Sequence, residues 1–170
     1  MFHRTEQVLL ADGHLVPVGV VSASLHVGDT RDAVIALKYG NERPVARMLG
    51  ELIAPFLGEE EIITWVPTSA RRAQVRGIDH AEHIARYAAA SRGRSAVRLL
   101  RRVGESQQTG RSRSQRLVAP RFVAHDKVHG CRVVIVDDVV TTGATVRAAA
   151  GALLVAGAES VRCVSVCTVR

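Results

Sequence analysis

The sequence is poor in aromatic residues and has no long apolar run. Aromatic side chains make up 4% of the 170 residues although 47% are hydrophobic, so we expect a core built mainly of Val, Ala, Leu and Ile. No run approaches the roughly 20 apolar residues of a membrane span, and the N-terminus lacks the apolar segment of a secretory signal. These absences predict a soluble, cytoplasmic domain of ordinary size.

Metal-binding patterns are also missing. The three cysteines, Cys131, Cys163 and Cys167, form no C-x-x-C pair, so we interpret them as buried structural thiols rather than metal or redox ligands. His80 and His83 lie three residues apart, but no carboxylate or cysteine set completes a site around them. The sequence therefore predicts no metal held by the protein alone.

Lysine is scarce although the chain is basic. The net charge is +7, and only Lys38 and Lys127 of the 23 cationic residues are lysine. Arginine binds phosphate in a bidentate manner, and a basic domain favours anionic partners such as nucleotides, polyphosphates or nucleic acid. Charge alone does not choose among these partners.

The spacing of apolar residues predicts an α/β domain that follows a β hairpin. The predicted elements are strands at 8–10 and 15–18 around the turn Asp12-Gly13, helices at 31–39 and from 44, a strand at 62–66, a helix from 79, strands at 96–100 and 133–136, a helix at 143–156 and a strand at 161–169. Strand, helix and strand in series imply right-handed crossovers. We expect a mainly parallel central sheet flanked by helices over 31–170, and a small β flap over 1–30.

Two of these helices show an apolar face. In the helix after Pro44 the predicted buried residues are Val45, Met48, Leu49, Leu52, Ile53 and Phe56. In the next helix they are Ala81, Ile84, Ala85, Ala88 and Ala89. Asp79, with Glu82 three residues later, predicts a capping box at the start of that helix. The polar stretch 101–116 predicts a long mobile loop.

The segment VVIVDDVVTTGAT at 133–145 joins an apolar run, two acids and a loop rich in threonine and glycine. The run predicts a strand buried on both faces, and ligands bind beyond the carboxyl ends of such strands. Backbone N–H groups at a loop-to-helix junction favour an anion, whereas the carboxylates of Asp137 and Asp138 suit a vicinal diol. A phosphorylated ribose satisfies both halves. The Gly-Lys-Ser or Gly-Lys-Thr of a P-loop is absent.

This segment resembles the phosphoribosyl pyrophosphate (PRPP) motif of type I phosphoribosyltransferases. Three further segments, ALKYGNERPVARMLGELI, VPTSARRAQVRGIDHAEHIA and QQTGRSRSQR, are similar to the ComF family of competence proteins. The resemblance implies the type I phosphoribosyltransferase fold and PRPP as a ligand. Members of that family often begin with a four-cysteine zinc module, which this sequence lacks, and their usual RGFNQAE stands here as RGIDHAE.

The resemblance also implies roles for individual residues. Asp137 and Asp138 would hold the ribose 2′ and 3′ hydroxyls, and the 5′-phosphate would bind at Thr141, Thr142, Gly143, Ala144 and Thr145. Pyrophosphate would bind at Thr68, Ser69, Ala70 and Arg71, with Arg72 and Arg76 nearby and Lys38 as a further phosphate contact. The catalytic candidates are Asp137, Asp138 and Arg113, the last in a segment that would close over the site. Mg²⁺ is implied as an ion carried by the pyrophosphate.

Three functions stay open at this point. The first is Mg²⁺-dependent transfer of phosphoribosyl to an unidentified acceptor, with release of pyrophosphate. The second is a non-catalytic competence factor that binds PRPP or a nucleotide and acts on single-stranded DNA together with competence proteins. The third is salvage of purine or pyrimidine bases. Scarce, unclustered aromatic residues argue against strong base stacking on single strands. Whether the chain forms a homo-oligomer also stays open.

Overall fold

The computed structural model describes residues 1–40, 43–59, 61–69, 78–103 and 120–169. The helices are α1 Gly28–Gly40, α2 Arg43–Ile53, α3 His80–Ala90 and α4 Ala144–Val155, with 3₁₀ turns at Ala54–Phe56 and Asp126–Val128. The strands are β1 Phe2–Leu9, β2 Leu15–Leu25, β3 Ile62–Trp65, β4 Leu100–Val103, β5 Arg121–Ala124, β6 Arg132–Val140 and β7 Ser160–Thr168. Within these ranges no helix is long and apolar enough to cross a membrane.

The main sheet has the strand order β1-β2-β7-β6-β3. β1 and β2 form an antiparallel hairpin, whereas β2, β7, β6 and β3 run parallel to one another. The predicted mainly parallel sheet with an N-terminal β hairpin is thus confirmed. Because β2 pairs with β7, the hairpin is continuous with the central sheet. The division of the chain at residue 30 stays a prediction.

Apolar side chains cover both faces of β6. Its residues 133–136 are each at most 1% exposed, which confirms the predicted two-sided burial. Val134 and Val136 join a cluster with residues of α1, α2 and α3, whereas Val133 and Ile135 join a cluster with residues of α4. Side chains alternate between the faces of a strand, so the same alternation directs Asp137 towards the α4 side and Asp138 towards the α1 side.

β6 ends later than predicted. The strand continues through both acids to Val140 and pairs with β7 along that length. Asp137 and Asp138 therefore lie inside the strand and not in the loop after it. The hydrogen bonds that extend β6 come from a strand about 30 residues further along, which no local pattern of β6 itself displays.

The face that α2 buries also differs from the prediction. Its buried residues are Ala46, Leu49, Gly50 and Ile53. Met48 and Leu52, predicted to be buried, are 53% and 44% exposed. α2 lies so close to α3 that a Cβ on Gly50 would come within 2.8 Å of the backbone nitrogen of Ala88. Leu49 and Ile53 are buried as predicted. Small residues set the contact with α3, and hydrophobic spacing could not identify them.

The predicted buried face of α3 is confirmed, because all five predicted residues are buried. The predicted capping box is not formed. Asp79 is the N-cap residue, but its side chain makes no cap hydrogen bond. Its Oδ2 instead accepts a hydrogen bond from the backbone N–H of Thr68 at 2.9 Å. The Asp79 carboxylate thus links the start of α3 to the loop after β3.

The region after α3 departs from the prediction in two places. Within 96–100, Ala96 makes an isolated parallel bridge with Ile63, and the strand begins only at Leu100. Residues 101–103, predicted as loop, belong to β4, which pairs antiparallel with β5. The backbone hydrogen bonds to β5 satisfy the peptide groups of β4. The polar sequence of 101–103 alone does not indicate this pairing. The rest of the predicted loop, 104–116, lies outside the described residues.

The three cysteines are free thiols. Cys163 and Cys167 are buried, as predicted, whereas Cys131 is half-buried. Burial raises the pKa of the Cys167 thiol to about 11 and raises the pKa of Cys163 well above its usual value. Thiols that stay protonated at neutral pH are poor nucleophiles and poor metal ligands, which fits structural roles for this pair.

Candidate functional site

The predicted site lies at the edge of the sheet where β3 and β6 end and α4 begins. A cleft of about 280 Å³ opens there. Its lining residues are Lys38, Val66, Pro67, Thr68, Asp79, His80, Ala81, Arg102, Asp137, Asp138, Val139 and Thr145. An adjoining cavity of about 30 Å³ is lined by Asp137 and residues 139–146. The two spaces share Asp137, Val139 and Thr145 as lining residues, so they adjoin in one region of the molecule.

The two acids of β6 lie at the centre of this region. Asp138 Oδ2 is 2.7 Å from Lys38 Nζ, and Asp138 Oδ1 accepts a hydrogen bond from the N–H of Val139 at 2.7 Å. Asp137 Oδ1 accepts a hydrogen bond from the N–H of Asp138 at 2.9 Å. Lys38 was predicted to contact pyrophosphate. In this structure Lys38 forms an ion pair with Asp138, which was predicted to bind a ribose hydroxyl. Lys38 also lines the same cleft as Thr68.

The environment of Asp137 disfavours its charged form. Burial raises the pKa of Asp137 well above its usual value, and the charge of Asp138 raises it further. The N–H of Asp138 and the charge of Lys38 lower the pKa of Asp137 but do not cancel this effect. Asp137 therefore retains its proton at higher pH than a surface aspartate. A carboxyl of this kind can both donate and accept hydrogen bonds, which suits a ligand hydroxyl.

The loop from Thr141 to Thr145, where the sequence predicts an anion site, lies at the start of α4. All five residues predicted to bind the 5′-phosphate line the smaller cavity. Gly143 has a φ of 74°, and a Cβ at this position would collide with the carboxylate of Glu6, so glycine is required. Within the described part of the chain no protein acceptor is found for the N–H groups of Thr142 and Gly143. Such amides at a helix N-terminus are suited to phosphate.

Of the residues predicted to bind pyrophosphate in the loop after β3, Thr68 lines the cleft. Ser69 is buried, at 3% exposed, and does not line the cleft. Ala70 and Arg71 lie outside the described residues, as do Arg72, Arg76 and the catalytic candidate Arg113. The pyrophosphate role of this loop and the role of Arg113 stay predictions.

Three of the polar residues that line the cleft were not assigned to the site from sequence: Asp79, His80 and Arg102. Burial raises the pKa of Asp79, although the hydrogen bond from Thr68 partly offsets the effect. The guanidinium of Arg102 lies over the ring of Phe122, 5.8 Å from its centroid. A signal for the first two was present, because RGIDHAE departs from the usual RGFNQAE at these very positions. Arg102 was not predicted because it lies in the stretch 101–116, which was predicted as a loop.

The acids fit a magnesium ion that arrives with its ligand better than one that the protein holds. No group of three or more His, Cys, Asp or Glu residues able to hold a metal occurs within the described ranges. Lys38 already neutralises Asp138. Mg²⁺ binds substrate phosphates together with one or two carboxylates and waters. Because the charged form of Asp137 is disfavoured, the contacts of the ion would come mainly from the pyrophosphate that carries it.

Comparisons with known proteins agree with the fold. The chain has no significant match among curated proteins. A solved structure described as the allosteric regulatory enzyme of purine biosynthesis matches with a TM-score of 0.53 and 23% identity, over 78% of this chain and 30% of that one. Glutamine PRPP amidotransferase from B. subtilis, complexed with ADP and GMP, matches with a TM-score of 0.50, 23% identity and the same coverage. The chain thus spans about a third of the length of these two.

The family model of the phosphoribosyl transferase domain matches residues 74–170, which is more than half of the 170-residue chain. That stretch contains α3, β6, α4 and β7, and with them both acids and the anion loop. The type I phosphoribosyltransferase fold predicted from the sequence is confirmed, and the chain belongs to the phosphoribosyl transferase domain family.

Proposed function

We propose that this chain binds PRPP in the cleft and transfers its phosphoribosyl group to an acceptor, with release of pyrophosphate. One observation carries the proposal: two adjacent carboxyl groups lie beside a loop in which the N–H groups of Thr142 and Gly143 have no protein acceptor among the described residues, and both features line adjoining cavities. The carboxyl groups match the ribose hydroxyls and the loop matches the 5′-phosphate. Membership of the family supports the same ligand.

The arrangement divides PRPP among three parts of the site. The 5′-phosphate lies on the amides at residues 141–145, and the ribose hydroxyls contact Asp137 and Asp138. The pyrophosphate then extends towards Thr68 and Lys38, which also line the cleft. Because Asp138 and Lys38 are paired at 2.7 Å, ligand binding must either keep this pair or exchange Asp138 for a phosphate oxygen.

The proposed chemistry is a displacement at C1 of the ribose. The bond from C1 to the pyrophosphate oxygen breaks, and the acceptor supplies the electron pair of the new bond to C1. Positive charge develops on the ring as pyrophosphate leaves. The residues of the site contribute mainly by fixing the sugar and the leaving group in line with the acceptor. Mg²⁺, where bound, neutralises part of the pyrophosphate charge.

A narrower proposal is membership of the ComF family. The similarity of residues 36–53 and 66–85 to that family supports it. A role in competence would make the chain a PRPP- or nucleotide-binding factor that acts on single-stranded DNA with protein partners. The net charge of +7 favours a polyanionic partner, so this non-catalytic role is the second candidate function.

Isothermal titration calorimetry with PRPP and Mg²⁺ tests the binding step. We expect the wild-type chain to bind PRPP. The double variant Asp137→Asn with Asp138→Asn should lose at least about 100-fold in affinity, because an amide replaces each carboxyl group that contacts a ribose hydroxyl. A matched control removes two exposed negative charges, at Asp32 and Glu51: Asp32→Asn with Glu51→Gln should bind PRPP as the wild type does. Unchanged affinity in the Asp137 and Asp138 variant would contradict the assignment.

Release of pyrophosphate tests the transfer step. The wild-type chain is incubated with PRPP, Mg²⁺ and a panel of candidate bases and single-stranded DNA. Acceptor-dependent release supports the transferase, and release that requires one base would identify a salvage reaction. Tight PRPP binding without release from any acceptor favours the non-catalytic role.

A further inference from the structure

A cluster of three charged residues lies beside the anion loop and outside the cleft. Glu6, in β1, is buried, at 9% exposed. Its Oε1 is 2.7 Å from Nη2 of Arg4 in the same strand, and its Oε2 pairs with Nη1 of Arg147 in α4. One carboxylate thus binds two guanidinium groups that come from opposite ends of the sequence.

Each guanidinium also donates to a carbonyl of the anion loop. Nη1 of Arg4 donates to the oxygen of Thr141 at 2.8 Å, and Nη1 of Arg147 donates to the oxygen of Thr142 at 3.0 Å. Both contacts are charge-assisted hydrogen bonds, which are stronger than neutral ones. Two consecutive carbonyls of the loop are therefore held by side chains that Glu6 itself fixes.

Holding these carbonyls also sets the direction of two amides. The peptide bond is planar, and the described residues contain no cis peptide bond. In a trans peptide the N–H points away from the carbonyl of the same unit. The carbonyls of Thr141 and Thr142 share their peptide units with the N–H groups of Thr142 and Gly143. Neither of these two amides has a protein acceptor among the described residues.

Gly143 ties the same cluster to the backbone of the loop. A Cβ on Gly143 would collide with the Glu6 carboxylate, so the carboxylate packs directly against this residue. The side chains of Arg4, Glu6 and Arg147 thereby define one side of the loop, and they leave the other side open for an anion.

We propose that Arg4, Glu6 and Arg147 form a clamp that orients the amides of Thr142 and Gly143 for a ribose 5-phosphate group. They are positioning residues, since they act through the loop. The inference rests on the proposed function, because that function supplies the phosphate. It adds that strand β1 helps to determine the affinity for the 5′-phosphate end of the ligand and not for its pyrophosphate end.

Electrostatics alone predicts the opposite result for Glu6. A buried negative charge beside a phosphate site repels the phosphate, so its removal by Glu6→Gln would tighten binding. The clamp predicts weaker binding, because Gln cannot pair with both guanidinium groups as a carboxylate does. The direction of the change therefore separates the two explanations.

Calorimetric titrations with two separate probes, ribose 5-phosphate and inorganic pyrophosphate with Mg²⁺, test the clamp. We expect Glu6→Gln to weaken ribose 5-phosphate binding by about tenfold while the affinity for pyrophosphate stays within about twofold of the wild type. Glu51→Gln, on the exposed face of α2, makes the same change of charge without touching the loop and should alter neither affinity. Arg147→Lys, which keeps the charge but not the forked geometry, should weaken ribose 5-phosphate binding in the same selective way and serves if Glu6→Gln does not fold.

Each outcome decides between the proposals. A wild-type chain that binds neither PRPP nor ribose 5-phosphate overturns the proposed function, and the clamp with it. A wild-type chain that binds ribose 5-phosphate, with equal or tighter binding in Glu6→Gln, overturns the clamp alone. Equal losses for both probes would show a merely structural role and would also overturn the clamp.

Discussion

Asp137 lies in the proposed site although burial of its charged form costs folding free energy. It is buried beside a second acid, and a carboxylate is destabilised in such surroundings. No apolar residue of the strand carries this penalty. A residue that disfavours the folded state yet lies at the centre of a cleft is typical of a functional position.

The stability of an Asp137→Asn variant tests this conclusion. The pKa of Asp137 in the folded state is raised above the unfolded value of about 3.9, so the folded chain binds this proton more tightly. The contribution of Asp137 to stability is therefore fully favourable below about pH 3.9 and is lost as the pH rises through the folded-state pKa. We expect the variant to be more stable than the wild type at pH 8, and this advantage should shrink as the pH falls. Each kcal/mol of difference in the free energy of unfolding corresponds to roughly 3 °C in Tm.

Thermal unfolding followed by circular dichroism between about pH 4 and pH 8 measures this difference. Asp32→Asn, at an exposed position of α1, is the control and should show little dependence on pH. A variant whose Tm lies below that of the wild type at every pH would show that the Asp137 carboxylate stabilises the fold.

At the scale of the elements, the contact between α2 and α3 depends on a glycine. A Cβ on Gly50 would lie 2.8 Å from both the backbone nitrogen of Ala88 and the Cβ of Tyr87. Neither atom is the end of a flexible side chain, so relief requires the two helices to separate. α3 carries Asp79 and His80 into the cleft, which links this packing to the site.

We expect Gly50→Ala to destabilise the fold by about 1–3 kcal/mol, as overpacking of a tight contact does, despite the better helix propensity of alanine. Gly151, in α4, is the matched control, because a Cβ there would meet only Cγ1 of Val8 at 3.4 Å. Gly151→Ala should be neutral or stabilising by up to about 1 kcal/mol. Urea unfolding of both variants gives the comparison, and equal effects would mean that the helices have room to adjust.

The elements also show how far the sequence predicts this fold. β6 could be predicted because its first residues form a continuous apolar run, and α3 because its buried residues repeat at helical spacing. α2 carries apolar residues on two faces, and only its contact with α3 decides which face is buried. β4 could not be located without its partner β5, which lies across residues 104–119.

The residues of the candidate site likewise fall into those that the sequence predicts and those that only the structure shows. Asp137, Asp138 and residues 141–145 are neighbours in sequence, so one local pattern predicted them together. Glu6 is about 140 residues away from Arg147 along the chain, and no local pattern links them. The clamp is formed by the pairing of β1 with β2 and by the packing of α4 on the sheet, and it becomes visible only in the structure.

For the whole molecule, the fold brings groups of both signs to one edge while the chain as a whole stays basic. The parallel strands β3, β6, β7 and β2 all end at that edge, so α1, α3 and α4 each contribute residues to one cleft. The net charge of +7 belongs to the whole chain, whereas the cleft presents groups of both signs. Binding of a small phosphorylated sugar and binding of a long polyanion should therefore respond to different changes.

The salt dependence of single-stranded DNA binding separates the two candidate functions. If DNA is held only by the overall charge, its affinity should fall by about tenfold or more between roughly 50 and 200 mM salt, because counterions are released from each neutralised phosphate. PRPP should then not displace the DNA, and Asp137→Asn with Asp138→Asn should leave DNA binding intact while it removes PRPP binding. Fluorescence anisotropy of a labelled oligonucleotide, titrated with salt and with PRPP, measures both effects. DNA binding that resists salt and is displaced by PRPP would instead place the strand in the cleft and make the competence role the better explanation of this site.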